Sequence, residues 1–119
     1  MLVRDLTDDD LDTIHAINQA EVPAVGSETL ADLAHIVDVS TIALAAEIDD
    51  EIAGFCLVLA PGADYGSMNY RWFGERYNEF VYLDRVAIAP RFQRRGIGRA
   101  LYAEVEQRSH DRHPGARQF

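Results

Sequence analysis

Gln93, Gly96 and Gly98 stand in the order Gln-x-x-Gly-x-Gly, after an apolar run that ends at Pro90 and before a helical pattern. A loop that opens a helix presents unpaired backbone N–H groups at the positive end of the helix dipole. Glycine lets such a backbone approach an anion closely and adopt positive φ where a turn requires it. Arg94, Arg95 and Arg99 add charge-assisted contacts. The chemistry these types and spacings suit is the cradling of a pyrophosphate. Two other phosphate motifs fit less well. A Walker loop needs Gly-Lys-Ser/Thr, and the chain has no lysine. A dinucleotide fingerprint needs a third glycine where Leu101 stands.

The charge distribution agrees with a compact anionic ligand. The net charge is −9, yet residues 1–64 hold fourteen acids and one base, while residues 65–119 hold ten arginines and six acids. Arg85, Arg91, Arg94, Arg95 and Arg99 fall within fifteen positions. A local basic cluster in an acidic protein points to a phosphate-bearing small molecule, because nucleic acid calls for a broadly basic surface. At 119 residues the chain suits one compact domain. No apolar run is long enough to cross a membrane, and Asp5, Asp8, Asp9 and Asp10 fall where a signal sequence would be apolar. The expectation is a cytoplasmic protein without membrane or nucleic-acid partners. Cys56, the single cysteine, lies in an apolar run and reads as a small buried hydrophobe. His110 and His113 have a spacing that could ligate a metal, but they sit in an aperiodic stretch, and no metal is expected.

The elements that must position the loop follow from periodicity. Leu2 to Asp5 reads as a strand. Thr7 sits at an N-cap position, followed by Asp8, Asp9 and Asp10 and then by Leu11, Ile14 and Ile17 at helical spacing. A second helix fits residues 27–38. Thr41 to Ile48 alternates like a strand, Asp49-Asp50 turns, and Ile52 to Ala60 is a nearly continuous apolar strand; together they form a hairpin. The stretch from Pro61 to Glu79 carries Tyr65, Tyr70, Trp72, Phe73 and Tyr77. Its length suits a binding loop or lid, and its aromatics equally suit the anchoring of a short helix near Met68–Arg76. Phe80 to Ile88 is the next strand, with Phe80, Tyr82, Asp84, Val86 and Ile88 expected on one face. A helix from about Gly98 to His110 follows, and residues 111–119 read as an irregular tail.

Val86-Ala-Ile-Ala-Pro-x-x-Gln93-Arg-Arg-Gly96-Ile-Gly98-Arg resembles the acetyl-coenzyme A signature of the GNAT superfamily of N-acetyltransferases, Gln/Arg-x-x-Gly-x-Gly/Ala after a strand ending in Val-x-Pro. The preceding elements arrive in that family's order, so the resemblance covers residues 1–110. It implies an α/β (α+β) fold with a mixed, mostly antiparallel sheet flanked by helices. It implies acetyl-CoA as co-substrate, held by the strand end Val86, Ala87 and Ile88 and by the loop Gln93, Arg94, Arg95, Gly96, Ile97, Gly98 and Arg99. An amine of a small molecule or peptide would attack the thioester directly, with a backbone N–H near Val86–Ile88 polarising its carbonyl.

An alkylammonium, whose pKa is about 10.4, must first lose a proton. Asp84 is the leading acceptor of that proton, with Tyr82 and Glu79 behind it, and an ion pair with a neighbouring arginine is the competing role for Asp84. Tyr70 and Trp72 are expected to contact a cationic acceptor by cation–π interaction. Complete members of the family continue through another strand, a helix and a hairpin. The sequence past His110 resembles none of these, so the splayed strand is expected to lack its partner and to leave an edge that a second copy could cover. Two alternatives accompany the enzyme reading: a module that binds acyl-CoA without turning it over, or a core that depends on a partner chain.

Overall fold

The computed structural model describes all 119 residues. The elements are β1 (Leu2–Asp5), α1 (Leu11–Ala20), α2 (Leu30–Val39), β2 (Ile42–Ile48), β3 (Glu51–Leu59), α3 (Met68–Arg76), β4 (Phe80–Ile88), α4 (Ile97–Arg112) and β5 (Arg117–Gln118). One sheet runs β1-β2-β3-β4-β5. Its first three pairings are antiparallel and β4 pairs with β5 in parallel, which is the mixed, mostly antiparallel arrangement expected from the sequence. The hairpin between β2 and β3 turns on Asp49 and Asp50, both at positive φ (51° and 63°), the conformation that matches the twist of adjoining strands.

Apolar residues on the two faces of β3 divide the core. Ala53, Cys56 and Val58 join Ile97, Leu101 and Val105 of α4 on one side. Phe55 and Leu57 join Ile14, Ile17, Leu33 and Ile36 of α1 and α2 on the other. A central strand covered on both faces has no solvent side, which is why Ile52–Ala60 reads as a continuous apolar run.

Two sequence expectations change. The first is the face pattern of β4. Leu57 pairs with Arg85 but Val58 pairs with Leu83, so Asp84 is an extra residue in β4, a β-bulge. The side-chain alternation slips by one there. Val81 and Leu83 lie with the α4 core before the bulge, and Val86 and Ile88 lie with it afterwards. Phe80 and Tyr82 belong to an aromatic cluster around Tyr70, and Asp84 does not share the face of Val86 and Ile88. The second concerns residues 111–119. Helix α4 continues to Arg112, where Arg112 Nη1 donates to Thr41 O (2.6 Å) and the His113 ring bonds Thr41 Oγ1 (2.8 Å). Phe119 N then donates to Val81 O and Leu83 N to Phe119 O, both at 2.9 Å. The segment expected to be irregular therefore includes a short strand, because α4 supplies the crossover that a parallel neighbour of β4 needs. Periodicity cannot reveal a two-residue strand.

Helix α3 forms where the aromatic stretch allowed one. Ser67 caps it, accepting from Tyr70 N, and the Tyr70 ring packs against Phe80 and Tyr82. No helix of the chain is long and apolar enough to cross a membrane.

Candidate cofactor and acyl-transfer site

Ala89 N donates to Ala53 O across to β3. Since backbone groups alternate in direction along a strand, Ala87 and Arg85 also face β3, while Val86 and Ile88 turn their N–H and C=O groups toward the other edge. That edge is paired only at its start, where Phe80 meets Arg117 and Val81 meets Gln118. Beyond Leu83 it is unoccupied by any strand. Of the three residues expected to line the cofactor arm, Val86 and Ile88 thus turn backbone to the open edge, and Ala87 belongs to the core under α1 and α2.

The chain then turns through a short 3-10 segment, Pro90–Phe92, whose Phe92 plugs the α4 core. The anchored Phe92 fixes where the loop stands. Arg94 (φ 65°) and Gly96 (φ 78°) take left-handed conformations, and Gly96 sits at the N-cap of α4 with no side chain capping the helix. The first N–H groups of α4 therefore point out of the protein without a side-chain acceptor. A Cβ placed on Gly98 or on Gly96 would meet no heavy atom within 4 Å, so the space in front of the helix is open. Arg94, Arg95 and Arg99 are exposed, and none of them makes an ion pair, whereas Arg91 is committed to Glu51. Gln93, also exposed, donates to Ile88 O (3.2 Å) and to Glu21 Oε1 (2.6 Å), and so ties the loop to the end of β4 and to the residue after α1. Three unpaired guanidinium groups, a bare helix start and an open strand edge fit one extended anionic ligand.

The acid–base candidates separate. Asp84, 5% exposed in its side chain, sits in the bulge with Oδ2 accepting from Arg85 Nε (2.7 Å) and Oδ1 accepting from Tyr65 Oη (2.6 Å). Arg85 is buried as well, donating to Asn18 Oδ1 (2.9 Å) and Glu28 Oε1 (3.0 Å). Burial works against the Arg85 charge, but Asp84 and then Glu28 more than restore it, and its pKa stands above the ordinary value. Burial pushes the Tyr65 phenol up, and its hydrogen bond to Asp84 pushes it further. Glu79 precedes β4, where its carbonyl accepts from Arg117 N. At about 3.3 Å per residue it stands roughly 20 Å along the strand from Val86, and Asp84 stands roughly 7 Å away. Tyr82 is half-buried in the aromatic cluster.

The two expected acceptor contacts also divide. Tyr70 is buried, its hydroxyl donating to Ala60 O and accepting from Ala63 N (3.0 Å), so it fastens the connection to the core. Trp72 is exposed, with the Arg76 guanidinium 4.1 Å from its ring centre. From sequence alone Asn18 and Glu28 carry no site role, and Tyr65 is only one aromatic of the loop-or-lid stretch. Asn18 does leave a signal: it stands four residues after Ile14 on the buried stripe of α1, where an unpartnered amide would be costly. Glu28 and Tyr65 leave none, because both reach Arg85 from loops distant in sequence.

The fold thus combines a mixed sheet, whose β4 edge is open at the end of the strand, with a bare, arginine-flanked helix start directly after it. The chain belongs to the acetyltransferase (GNAT) family, whose model matches residues 9–118. No curated protein matches it in sequence. Among solved structures it is similar to the ribosomal-protein-alanine N-acetyltransferase of Brucella melitensis (23% identity, TM-score 0.69, covering 95% of this chain and 69% of that one). It is also similar to a GNAT family acetyltransferase of Brucella melitensis in complex with acetyl-CoA (22%, TM-score 0.63, covering 97% and 70%). A third, the GphF GNAT-like decarboxylase in complex with isobutyryl-CoA, gives a TM-score of 0.78 at 18% identity, covering 98% of this chain and 62% of that one. Likeness at these identities establishes the fold, and the fold hosts more than one acyl-CoA reaction.

Proposed function

We propose that this protein transfers an acetyl group from acetyl-CoA to a primary amine by direct attack on the thioester. The observation that carries this reading is the continuity of the open β4 edge at Val86–Ile88 with the bare start of α4 at Gly96–Gly98, since one ligand combining a pantetheine arm with a pyrophosphate spans both. The backbone N–H and C=O of Val86 and the N–H of Ile88 would pair with the amides of the arm, since Ile88 O already accepts from Gln93. The N–H groups from Arg94 to Arg99 would take the pyrophosphate, with Arg94, Arg95 and Arg99 as counter-ions.

In this reading Asp84 receives the proton of the acceptor ammonium, through water, because it is the only one of the three acid–base candidates near the Val86 end of the strand. The acceptor approaches from the side of α2, where a cleft of about 290 Å³ is lined by Glu28, Asp32, His35, Asp64 and Tyr65. Tyr65 connects that cleft to the Asp84 carboxylate. Carboxylates along the cleft suit a cationic acceptor. Trp72, exposed on α3, takes no part unless the connection moves.

The engagement of both Asp84 oxygens favours one other reading, a domain that holds acyl-CoA without turning it over. Thermal shift with acetyl-CoA and with CoA, followed by thiol release against a panel of amines, decides between the two. Stabilisation by both ligands with amine-dependent thiol release supports transfer. Stabilisation without release supports the binding module, and the absence of any shift defeats both, since a ligand of the native state must raise its apparent stability.

A further inference from the structure

Arg85 carries five N–H groups, and each has an acceptor. Nε meets Asp84 Oδ2 (2.7 Å), Nη1 meets Asn18 Oδ1 (2.9 Å) and Gly26 O (3.3 Å), and Nη2 meets Glu28 Oε1 (3.0 Å) and Tyr65 Oη (3.5 Å). These acceptors come from four places: the bulge of β4, helix α1, the segment between α1 and α2, and the connection before α3. The guanidinium side chain is 5% exposed. Burying an ion in this way is a poor route to stability, because well-packed apolar side chains of similar volume usually do as well or better. What a saturated guanidinium offers instead is fixed direction, as its planar fork admits one arrangement of acceptors.

Two of the acceptors matter beyond the hub. Glu28 and Tyr65 both line the cleft beside α2, and they are contributed by separate loops. Neither loop is held by the sheet ladder there. His15, Asn18 and Gln19 of α1 bond the Gly26–Glu28 segment and His35 of α2 bonds Asp64 O, but Arg85 is the one side chain that bonds both loops. Asp84 completes the ring by accepting from Arg85 and from Tyr65 together.

We propose that Arg85 is a positioning residue that holds the Gly26–Glu28 segment and Tyr65 against the β4 bulge, and so sets the acceptor side of the site relative to the acyl-carrier side. The proposal rests on the acetyl-transfer reading for its kinetic consequence and on the hub alone for its structural one. Lysine at this position keeps the charge but offers three donors from a single nitrogen, so it cannot reach all five acceptors.

The test uses the whole chain as wild type, Arg85→Lys and Tyr65→Phe, with hydrogen exchange read on each protein alone. Thermal shift with acetyl-CoA and thiol release with spermidine and with n-butylamine complete the set. In R85K, exchange at residues 26–28 and 63–66 is expected to quicken about tenfold, corresponding to about 1.4 kcal/mol of local opening, while α4 and β3 exchange as before. The acetyl-CoA shift is retained, and the loss of kcat/KM for the better amine falls on the KM for that amine. In Y65F, exchange should quicken at 63–66 and leave 26–28 unchanged, because Arg85 still holds Glu28. Wild-type exchange in R85K overturns the proposal, and so does a uniform rise over all elements, which would mark Arg85 as a contributor to global stability only. If R85K does not fold, Y65F decides: quickened exchange at 26–28 as well would show that Arg85 does not hold the two loops separately. Absence of thiol release from the wild type defeats the transfer reading, and the exchange pattern still decides the hub.

Discussion

Gly98 stands in the first turn of α4 with open space where a side chain would begin. Gly98→Trp is therefore expected to fold normally and to lose the thermal shift with acetyl-CoA, because the indole would occupy the place proposed for the pyrophosphate. A retained shift would mean the cradle lies elsewhere. Cys56 supplies a second expectation. Burial pushes its thiol up to about 12, so the thiolate is scarce at pH 8 and the native protein should not react with a disulfide reagent. Full labelling should appear only on unfolding, which also keeps Cys56 out of any thiol-release assay. The role expected for Asp84 has a kinetic test. Asp84→Asn should lower kcat/KM for the amine by a factor on the order of 10² to 10⁴ while the thermal shift with acetyl-CoA is retained. An unchanged kcat/KM would assign Asp84 to the Arg85 hub alone. The ion pair with an arginine, weighed for Asp84 from the sequence, is present, and its partner is the next residue in the chain.

The turn leading into α1 shows local sequence and long-range contact acting together. Thr7 and Asp10 form a capping box, with Thr7 N donating to Asp10 Oδ2 (2.8 Å). Arg4 of β1 then closes on Asp10 at 2.7 Å and on Glu47 of β2 at 2.9 Å. Hydrogen bonding from Arg4, aided by Thr7, holds the Asp10 carboxyl below the usual carboxylate range. A depressed folded-state pKa adds stability that is present above the unfolded value, near 3.9, and is lost as pH falls through the folded value. Asp10→Asn should therefore lower the denaturation midpoint at pH 7 by an amount worth about 1–3 kcal/mol. The gap from wild type should begin to narrow only below about pH 4 and close as pH falls through the depressed folded-state value, and a gap that is constant with pH would refute the assignment. In the same way the β4 bulge is a single inserted residue with a long reach. It turns Asp84 toward Tyr65 and Arg85, and Val86 and Ile88 toward the α4 core. Nothing in the alternation of Phe80–Ile88 marks it, because bulges are set by pairing with a neighbour.

Across the molecule, β3 is the strand on which both layers rest, with Phe55 fully buried beneath α1 and α2. Phe55→Ala should cost about 3–5 kcal/mol, measurable as a lowered midpoint in urea with an unchanged slope. A loss below 1 kcal/mol would show that the layer under α1 and α2 repacks. The family, the element order and the glycine-bearing turn between β4 and α4 were legible in the sequence because each is local. A glycine pattern between a strand and a helix specifies its own backbone, and apolar periodicity specifies which faces must be covered. The Arg85 hub, the bulge at Asp84, the commitment of Tyr70 to Ala60 and the pairing of β5 with β4 were decided by tertiary structure. Each depends on groups brought together from distant segments, as when Asn18, Glu28 and Tyr65 converge on one guanidinium. A buried charge must find its partners wherever the fold supplies them, and sequence spacing carries no record of which loop will supply them.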